Sequence, residues 1–319
     1  MTDPTRIAVI GAAGWAGSRH VKAFHALGAR VVALIDPSPH VCTAARAVGA
    51  EVLDSPARLN ADEVDLVVVA LPSRLQPDVS ADLLRRGLRV LVEKPIGSSS
   101  ANAAALGEIA NVENALMVGY TLHHHPVAKV VADWVASASV ISMSIRSAAR
   151  KSSIEGWRAA ADEGGVAVVN GIHGIEYAAS LFPGEATVHS MYQSDQLHRA
   201  SVSDYTAATL TFQDGPLCRL ETYWNPWNHT TGLNRNDWSF EMDVIAHEGR
   251  RMWSNWSLHA WDRLGSETVH HFPEVDLFGE QAKKALRFAG GEQPVVGYRQ
   301  ALRATQIADD LLSKGRERL

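Results

Sequence analysis

Apolar positions along this chain follow two rhythms. Up to about residue 120 they come in short unbroken runs, separated by stretches of helical spacing. Arg6 to Ile10 predict a first strand, and His20 to Leu27 follow with Val21, Phe24 and Leu27 on one helical face. Val31 to Ile35 predict a second strand, Val41 to Val48 a helix and Glu51 to Leu53 a short strand. Asp65 to Leu71 form a strongly apolar run closed by Pro72-Ser73. Pro77 to Arg86 predict a helix with proline near its start. Val90 to Val92 predict a strand, Ser100 to Ala110 a helix and Ala115 to Val118 another strand. Apolar strands alternating with helices imply a parallel sheet covered on both faces.

After Tyr120 the rhythm changes. Ser139 to Ala148 read as a strand, and Gly164-Gly165 open a helix running to about Leu181. Alternating strands are predicted over 186–193, 205–212, 217–223, 239–246 and 251–256. Gln213-Asp214-Gly215-Pro216 is a hairpin turn signal, so the second sheet is expected to be mostly antiparallel. Two helices, Leu277 to Ala289 and Gly297 to Lys314, close the pattern. The expectation is an α/β domain over 1–120 and an α+β domain over 121–319.

Composition narrows the function classes. The 319 residues are 46% hydrophobic and 20% charged, which fits a globular protein with a sizeable core. A net charge of -5 gives no basic field for nucleic acid. Cys42 and Cys218 are the only cysteines, which excludes a disulfide framework and fits a reducing compartment. Met1 to Arg6 are polar and run straight into a strand. No signal peptide and no bilayer-length apolar run are read, so the cytoplasm is the expected location.

The candidate chemistry begins at Gly11-Ala12-Ala13-Gly14-Trp15-Ala16-Gly17, between a strand and a helix. Glycines there let the backbone approach a pyrophosphate, whose charge sits on the helix N-terminus. The spacing is G-x-x-G-x-x-G, with Ala13 where a second glycine would be expected; a plain tight turn would also use these residues. Asp36 ends the second strand at about the usual interval from the loop. A carboxylate there accepts bonds from ribose hydroxyls and repels a 2′-phosphate, which favours NAD over NADP. It also suits a turn residue ahead of Pro37. Loop, strand and acid together predict dinucleotide binding. Glu93-Lys94-Pro95 then places a lysine at the carboxyl end of a strand, where open α/β sheets form their ligand crevice. Lys94 can exchange a proton with a substrate there. A surface ion pair with Glu93 is the plainer alternative.

In combination these residues resemble the glucose–fructose oxidoreductase, inositol dehydrogenase and rhizopine catabolism family (Gfo/Idh/MocA). The resemblance runs over nearly the whole chain. It is carried by the glycine loop, the run from Val64 to Pro72, Val92-Glu93-Lys94-Pro95, Gly119-Tyr120 with Pro126, and Gly164-Gly165 leading to Asn170-Gly171-Ile172-His173. It implies a Rossmann domain for NAD or NADP, then a domain with a large, open, mostly antiparallel sheet. It implies hydride transfer on sugars, cyclitols or related polyols, with Lys94 and His173 as catalytic residues. The cofactor positions it implies are Gly11, Ala13, Gly14, Trp15, Ala16, Asp36, Leu71, Pro72, Glu93 and Lys94. The substrate positions are Tyr120, His123, Trp157, Asn170 and Trp224. Three departures stand out. Val169 lies where many members carry Asp, Gln76 lies near a usual histidine, and His123 lies where an arginine is frequent.

Around His173, Asn170 and Glu176 lie three residues away on either side, so one helical face can hold all three. Trp224-Asn225-Pro226-Trp227-Asn228-His229 reads as an aromatic, polar loop, fit either to wall a substrate pocket or to form a subunit interface. An open sheet needs a cover, which predicts a dimer or tetramer through that sheet. His123-His124-His125 point in different directions and have no completing ligands, so no metal is expected. The expected activity is nicotinamide-dependent oxidoreduction of a secondary alcohol or ketone on a small polyol-like substrate. No nucleic-acid or membrane partner is expected. A redox-neutral lyase or glycosidase that retains NAD is one rival. A non-catalytic NAD-binding sensor is another, and the presence of both Lys94 and His173 argues against it.

Overall fold

The computed structural model describes residues 3–227 and 238–316. The chain divides into two compact units, Met1–Thr121 with Asp276–Leu302, and Leu122–Val275 with Arg303–Leu319.

The first unit runs β1 (Arg6–Ile10), α1 (Trp15–Ala26), β2 (Arg30–Ile35), α2 (Val41–Val48), β3 (Glu51–Leu53), β4 (Leu66–Val69), α3 (Gln76–Arg85), β5 (Val90–Glu93), α4 (Ser100–Ala104), α5 (Val112–Ala115) and β6 (Leu116–Gly119). Its six strands are parallel, in the order β3-β2-β1-β4-β5-β6. Leu66 to Val69 are each fully buried, which is why that run carries no polar alternation. The order reverses between β1 and β4. Parallel sheets open a crevice at such a switch, beyond the carboxyl ends of the strands. The helix expected over 100–110 stops at Ala104 and tightens into a 3₁₀ turn, Ala105–Glu108.

The second unit contains α6 (Pro126–Val135), β7 (Val140–Arg150), α7 (Gly165–Val169), α8 (Ile172–Leu181), β8 (Ala186–Ser194), β9 (Tyr205–Phe212), β10 (Leu217–Asn225), β11 (Trp238–Ala246), β12 (Gly249–Ser254), β13 (Ser257–Asp262) and β14 (Glu267–His271). The sheet order is β14-β13-β12-β11-β7-β10-β9-β8. Within this sheet only the β7–β10 pair is parallel among the described strands. β9 alternates half-buried and buried positions along its whole length, as a sheet with one covered face requires. α8 lies close on that face: a Cβ at Gly174 would stand 2.8 Å from Ile145 Cγ2.

The single helix expected from 164 to 181 is two helices. The break falls at Asn170, the C-cap of α7 with φ stretched to -114°, and Gly171 is the cap of α8. The expected sharing of one helical face by Asn170, His173 and Glu176 is therefore corrected: Asn170 stands outside α8. The expected strand over 251–256 ends at Ser254. Asn255 turns the chain at φ 47°, and its side-chain oxygen accepts from the Phe240 amide at 3.1 Å.

α6 starts at Pro126 with His125 as its cap, whose Nδ1 accepts from the Val127 amide at 3.2 Å. His125 is buried, with its ring 4.3 Å from Trp256 and 4.8 Å from Trp253. Burial pushes this imidazole down from 6.5 to about 3. Between those values the unfolded chain binds the proton and the folded chain does not. Stability therefore falls as pH drops from about 6.5 toward 3, by roughly 1 kcal/mol per pH unit. His125→Asn keeps a capping acceptor without a titrating group. Urea midpoints at pH 7 and pH 5 should separate less in His125→Asn than in the wild type. Equal separations would remove His125 as the cause.

Two C-terminal helices follow, α9 (Leu277–Ala289) and α10 (Tyr298–Arg316). Asp276 caps α9 through the Phe278 amide at 3.1 Å. Phe278, Ala282, Ala285 and Phe288 of α9 join the same core cluster as Ile7, Val9, Phe24, Leu66, Leu91 and Met117.

Candidate active site

In the first unit the candidate residues gather at the carboxyl ends of β1, β2, β4 and β5. Gly11 takes φ 77°, and a Cβ on it would stand 2.2 Å from Ala70 O at the end of the neighbouring strand. A Cβ on Gly17 would stand 2.1 Å from Gly11 O. These two glycines answer a close approach of backbone to backbone. Gly14 is the cap of α1 and offers no side-chain cap bond. The first-turn amides of Trp15 and Ala16 thus begin a helix with no side chain over its N-terminus, a geometry suited to an anion. Trp15 is half exposed, and the Arg19 guanidinium sits 3.8 Å from its ring centroid.

Asp36 reaches back to this loop. Its Oδ2 accepts from the Ala13 amide at 2.9 Å and its Oδ1 from the Ser38 amide at 2.8 Å. Leu71 and Pro72 follow β4, both half-buried, with the Leu71 side chain beside Gly11. Glu93 ends β5, and its Oε1 lies 2.7 Å from Nε2 of the fully buried His20. Phe278 meets the His20 ring edge-on at 5.0 Å. Lys94 follows, half-buried, joined to Pro95 by a cis peptide bond. Gln76 at the start of α3 donates from Nε2 to Glu93 O at 2.9 Å and to Pro95 O at 2.6 Å.

In the second unit, His173 lies at the start of α8, 7% exposed, with its ring 4.8 Å from that of Trp238. Asn170 Nδ2 donates to Ser147 Oγ at 2.8 Å and to Thr222 Oγ1 at 3.1 Å. Trp238 Nε1 donates to the same Ser147 Oγ at 2.9 Å. Ser147 thus links Asn170 to the tryptophan on which His173 rests. Val169 packs into the cluster of Ala149, Val166, Val202 and Trp224, so no carboxylate stands at that position beside His173. His123 Nε2 lies 2.7 Å from Oε2 of the fully buried Glu176. Glu176 is therefore engaged through His123. Trp157 packs half-buried on the Val166 cluster, with the Arg158 guanidinium 4.5 Å over its ring.

Two expected substrate contacts are corrected by burial. Tyr120 is fully enclosed and Trp224 is 1% exposed, so neither presents a surface to a substrate. Trp224 and Asn225 are the last residues of β10, where a loop was expected. β10 runs that far because it pairs with β7 up to Asn225–Arg150, and the Trp224 amide bonds Asp204 O at 2.8 Å. Trp227 is exposed, while Asn228 and His229 lie outside the described residues. Sequence reasoning missed His20, Ser147 and Trp238. His20 follows the glycine loop by three residues, the one positional signal among them. Among the described residues no group of three His, Cys, Asp or Glu side chains can hold a metal, and no helix is long and apolar enough to cross a membrane.

Comparisons with known proteins match these two units. The oxidoreductase family's NAD-binding Rossmann fold matches residues 5–120, and its C-terminal alpha/beta domain matches residues 139–236. A dTDP-3,4-didehydro-2,6-dideoxy-alpha-D-glucose 3-reductase from Actinomadura kijaniata is 34% identical over 137 residues, 41% of this chain and 41% of that protein. The rhizopine catabolism protein MocA of Rhizobium meliloti is 36% identical over 76 residues, 24% of each chain. The chain thus spans well under half the length of the curated relatives it matches. The crystal structure of an oxidoreductase domain protein from Kribbella flavida covers 100% of this chain and 98% of its own, with a TM-score of 0.85 at 18% identity. The six-stranded parallel sheet with its glycine turn, the open eight-stranded sheet and the two matched domains lead to one assignment: the chain belongs to the Gfo/Idh/MocA family of oxidoreductases.

Proposed function

We propose that this protein transfers hydride between a nicotinamide cofactor and a secondary alcohol or ketone of a sugar, cyclitol or related polyol. One observation carries the reading. Lys94 directly follows β5, on the same edge of the parallel sheet as the glycine turn at the end of β1. The glycine turn flanks the switch point between β1 and β4, and Lys94 lies one strand beyond β4 on the edge where such sheets bind ligands. The sugar-nucleotide reductase and the rhizopine protein named above support a sugar-like substrate.

The residues present fit a dinucleotide. The positions where a Cβ would strike backbone are glycines, and the start of α1 carries no capping side chain. Gly11, Ala13, Gly14, Trp15 and Ala16 would hold the pyrophosphate, and Asp36 would accept from the adenosine ribose, favouring NAD over NADP. Leu71, Pro72 and Glu93 border the same crevice. A bound nicotinamide supplies the hydride acceptor or donor. Lys94 takes the hydroxyl proton in oxidation and returns it in reduction, and His173 assists that transfer. Asn170, held by Ser147 and Thr222, is proposed to bind a substrate hydroxyl. His123 and Trp157 line the substrate region.

The test is a panel of polyols, cyclitols and nucleotide sugars with NAD and NADP, followed by nicotinamide absorbance. Cofactor turnover with one class of sugar is the expected result. Tightly retained NAD with product formed but no net turnover would replace this reading with the redox-neutral lyase or glycosidase. NAD bound without any product would replace it with the sensor.

The assembly belongs to the same proposal. The uncovered face of the second sheet carries a ring ladder, Tyr192, Tyr205 and Tyr223, at 6.2 and 6.1 Å. Arg146 beside it reaches Glu221 at 2.7 Å and Glu241 at 3.5 Å. A second copy is proposed to cover this face as a dimer or tetramer. Light scattering at micromolar concentration should give a multiple of 34.5 kDa. A monomer would refute it. Cys42 and Cys218 are both free thiols, which supports a reducing, cytoplasmic setting.

A further inference from the structure

One amide holds the chain on both sides of Lys94. Gln76 is 1% exposed, and its Nε2 bonds the carbonyl before Lys94 and the carbonyl of the residue after it. A primary amide nitrogen has two hydrogens, and here each has its own acceptor. The alternative amide orientation would set its oxygen against two carbonyl oxygens, so chemistry fixes the assignment. The cost is visible on the same side chain. Gln76 Oε1 is buried with no hydrogen-bond partner. The amide is therefore oriented for the two carbonyls, at the expense of its own oxygen.

The residue type is specific to this task. A histidine ring nitrogen donates one bond, and glutamate or methionine donates none at neutral pH. The resemblance led to the expectation of histidine near this place. Glutamine instead ties the carbonyls of Glu93 and Pro95 together. A second lock comes from another element. Glu93 is held by its side chain to His20 of α1, in a pocket closed by Phe24 and Phe278. The backbone on either side of Lys94, and the side chain before it, are thus fixed from α3 and from α1.

We infer that Gln76 is a positioning residue for Lys94: by clamping the carbonyls of Glu93 and Pro95 it sets the direction in which the Lys94 side chain leaves the strand. This rests on the reading of Lys94 as the proton-transfer group. Gln76 acts through the backbone that carries Lys94. Its effect is on orientation, where a displacement of about 1 Å changes rate by up to roughly 10²-fold.

The test uses the full chain with Gln76→Met, which keeps length and volume without donors, and Gln76→His, which returns one donor. Two readouts are taken. One is kcat and KM; the other is acetylation of Lys94 by acetic anhydride across pH, followed by peptide mass spectrometry on cofactor-free protein. Gln76→Met should lower kcat by roughly 10- to 100-fold with little change in KM. It should also move the Lys94 labelling midpoint by about half a pH unit or more, while Lys22 and Lys129 label as in the wild type. Gln76→His should fall between. If Gln76→Met does not fold, Gln76→His carries both readouts. A folded variant with unchanged kcat and unchanged Lys94 labelling overturns the inference. So does a loss of kcat with unchanged Lys94 labelling, which marks a general structural effect. A wild type that turns over no sugar defeats the proposed function, and the labelling arm still decides the clamp.

Discussion

Lys94→Ala lowers turnover by roughly 10²–10⁴, the usual contribution of one general acid–base group. The lysine stands at the end of β5, half-buried, and contributes no core packing. Stability should therefore change by about 0.5 kcal/mol, or somewhat more where its stem is covered. Cofactor affinity should largely survive, because the glycine turn and Asp36 belong to other strand ends. Lys94→Arg should not rescue activity. The charge persists, but a guanidinium does not give up its proton in this range. His173→Ala should cost less, as befits an assisting group. Single-turnover hydride transfer in the three variants checks the set. Full activity in Lys94→Ala would move the proton transfer to another side chain.

Asp36→Ala should weaken NADH by roughly 10- to 100-fold and NADPH by less. Two effects add for NADH. The carboxylate that accepts from the ribose hydroxyls is gone, a loss of about 1.5–3 kcal/mol for bonds to a charged group. The same carboxylate also holds the Ala13 and Ser38 amides, so the glycine turn loses its tie to the end of β2. NADPH suffers the second effect, but it is relieved of repulsion between its 2′-phosphate and Asp36. Fluorescence titration of both cofactors against wild type and variant measures the difference. Tighter binding of NADPH than NADH by the wild type would sink the assignment.

The elements with local causes were legible. β1, α2, β3, β9 and α9 have the bounds read from spacing alone. The start of α6 was legible too, in His125-Pro126 with Val127, Ala128, Val131 and Val135 at helical spacing, and was overlooked. β14 was not legible, because all five of its residues are exposed and no apolar alternation marks it. At the break, Asn170 bonds Ser147 and Thr222, 23 and 52 residues away. His123 meets Glu176 across 53 residues. The candidate cofactor residues lie in short motifs around one sheet edge and could be named before folding. The partners that fix them, His20 for Glu93 and Ser147 for Asn170, come from distant parts of the chain and leave no spacing to read.

The placement of α9 bears on the order in which this protein is made. A ribosome releases Met1–Thr121 first, with the whole of the parallel sheet in it. Phe24, Leu91 and Met117 nevertheless share their core with Phe278, Ala282, Ala285 and Phe288. Those partners emerge only after Leu122–Val275 of the second unit have been synthesised. At about 5–20 residues per second, the apolar surface awaiting α9 stays open to water for several seconds or more. The unit whose synthesis begins first is thus not sealed until α9 follows. A chain cut short anywhere before α9 keeps that surface bare, so the nascent protein exposes a mark of incompleteness until α9 arrives.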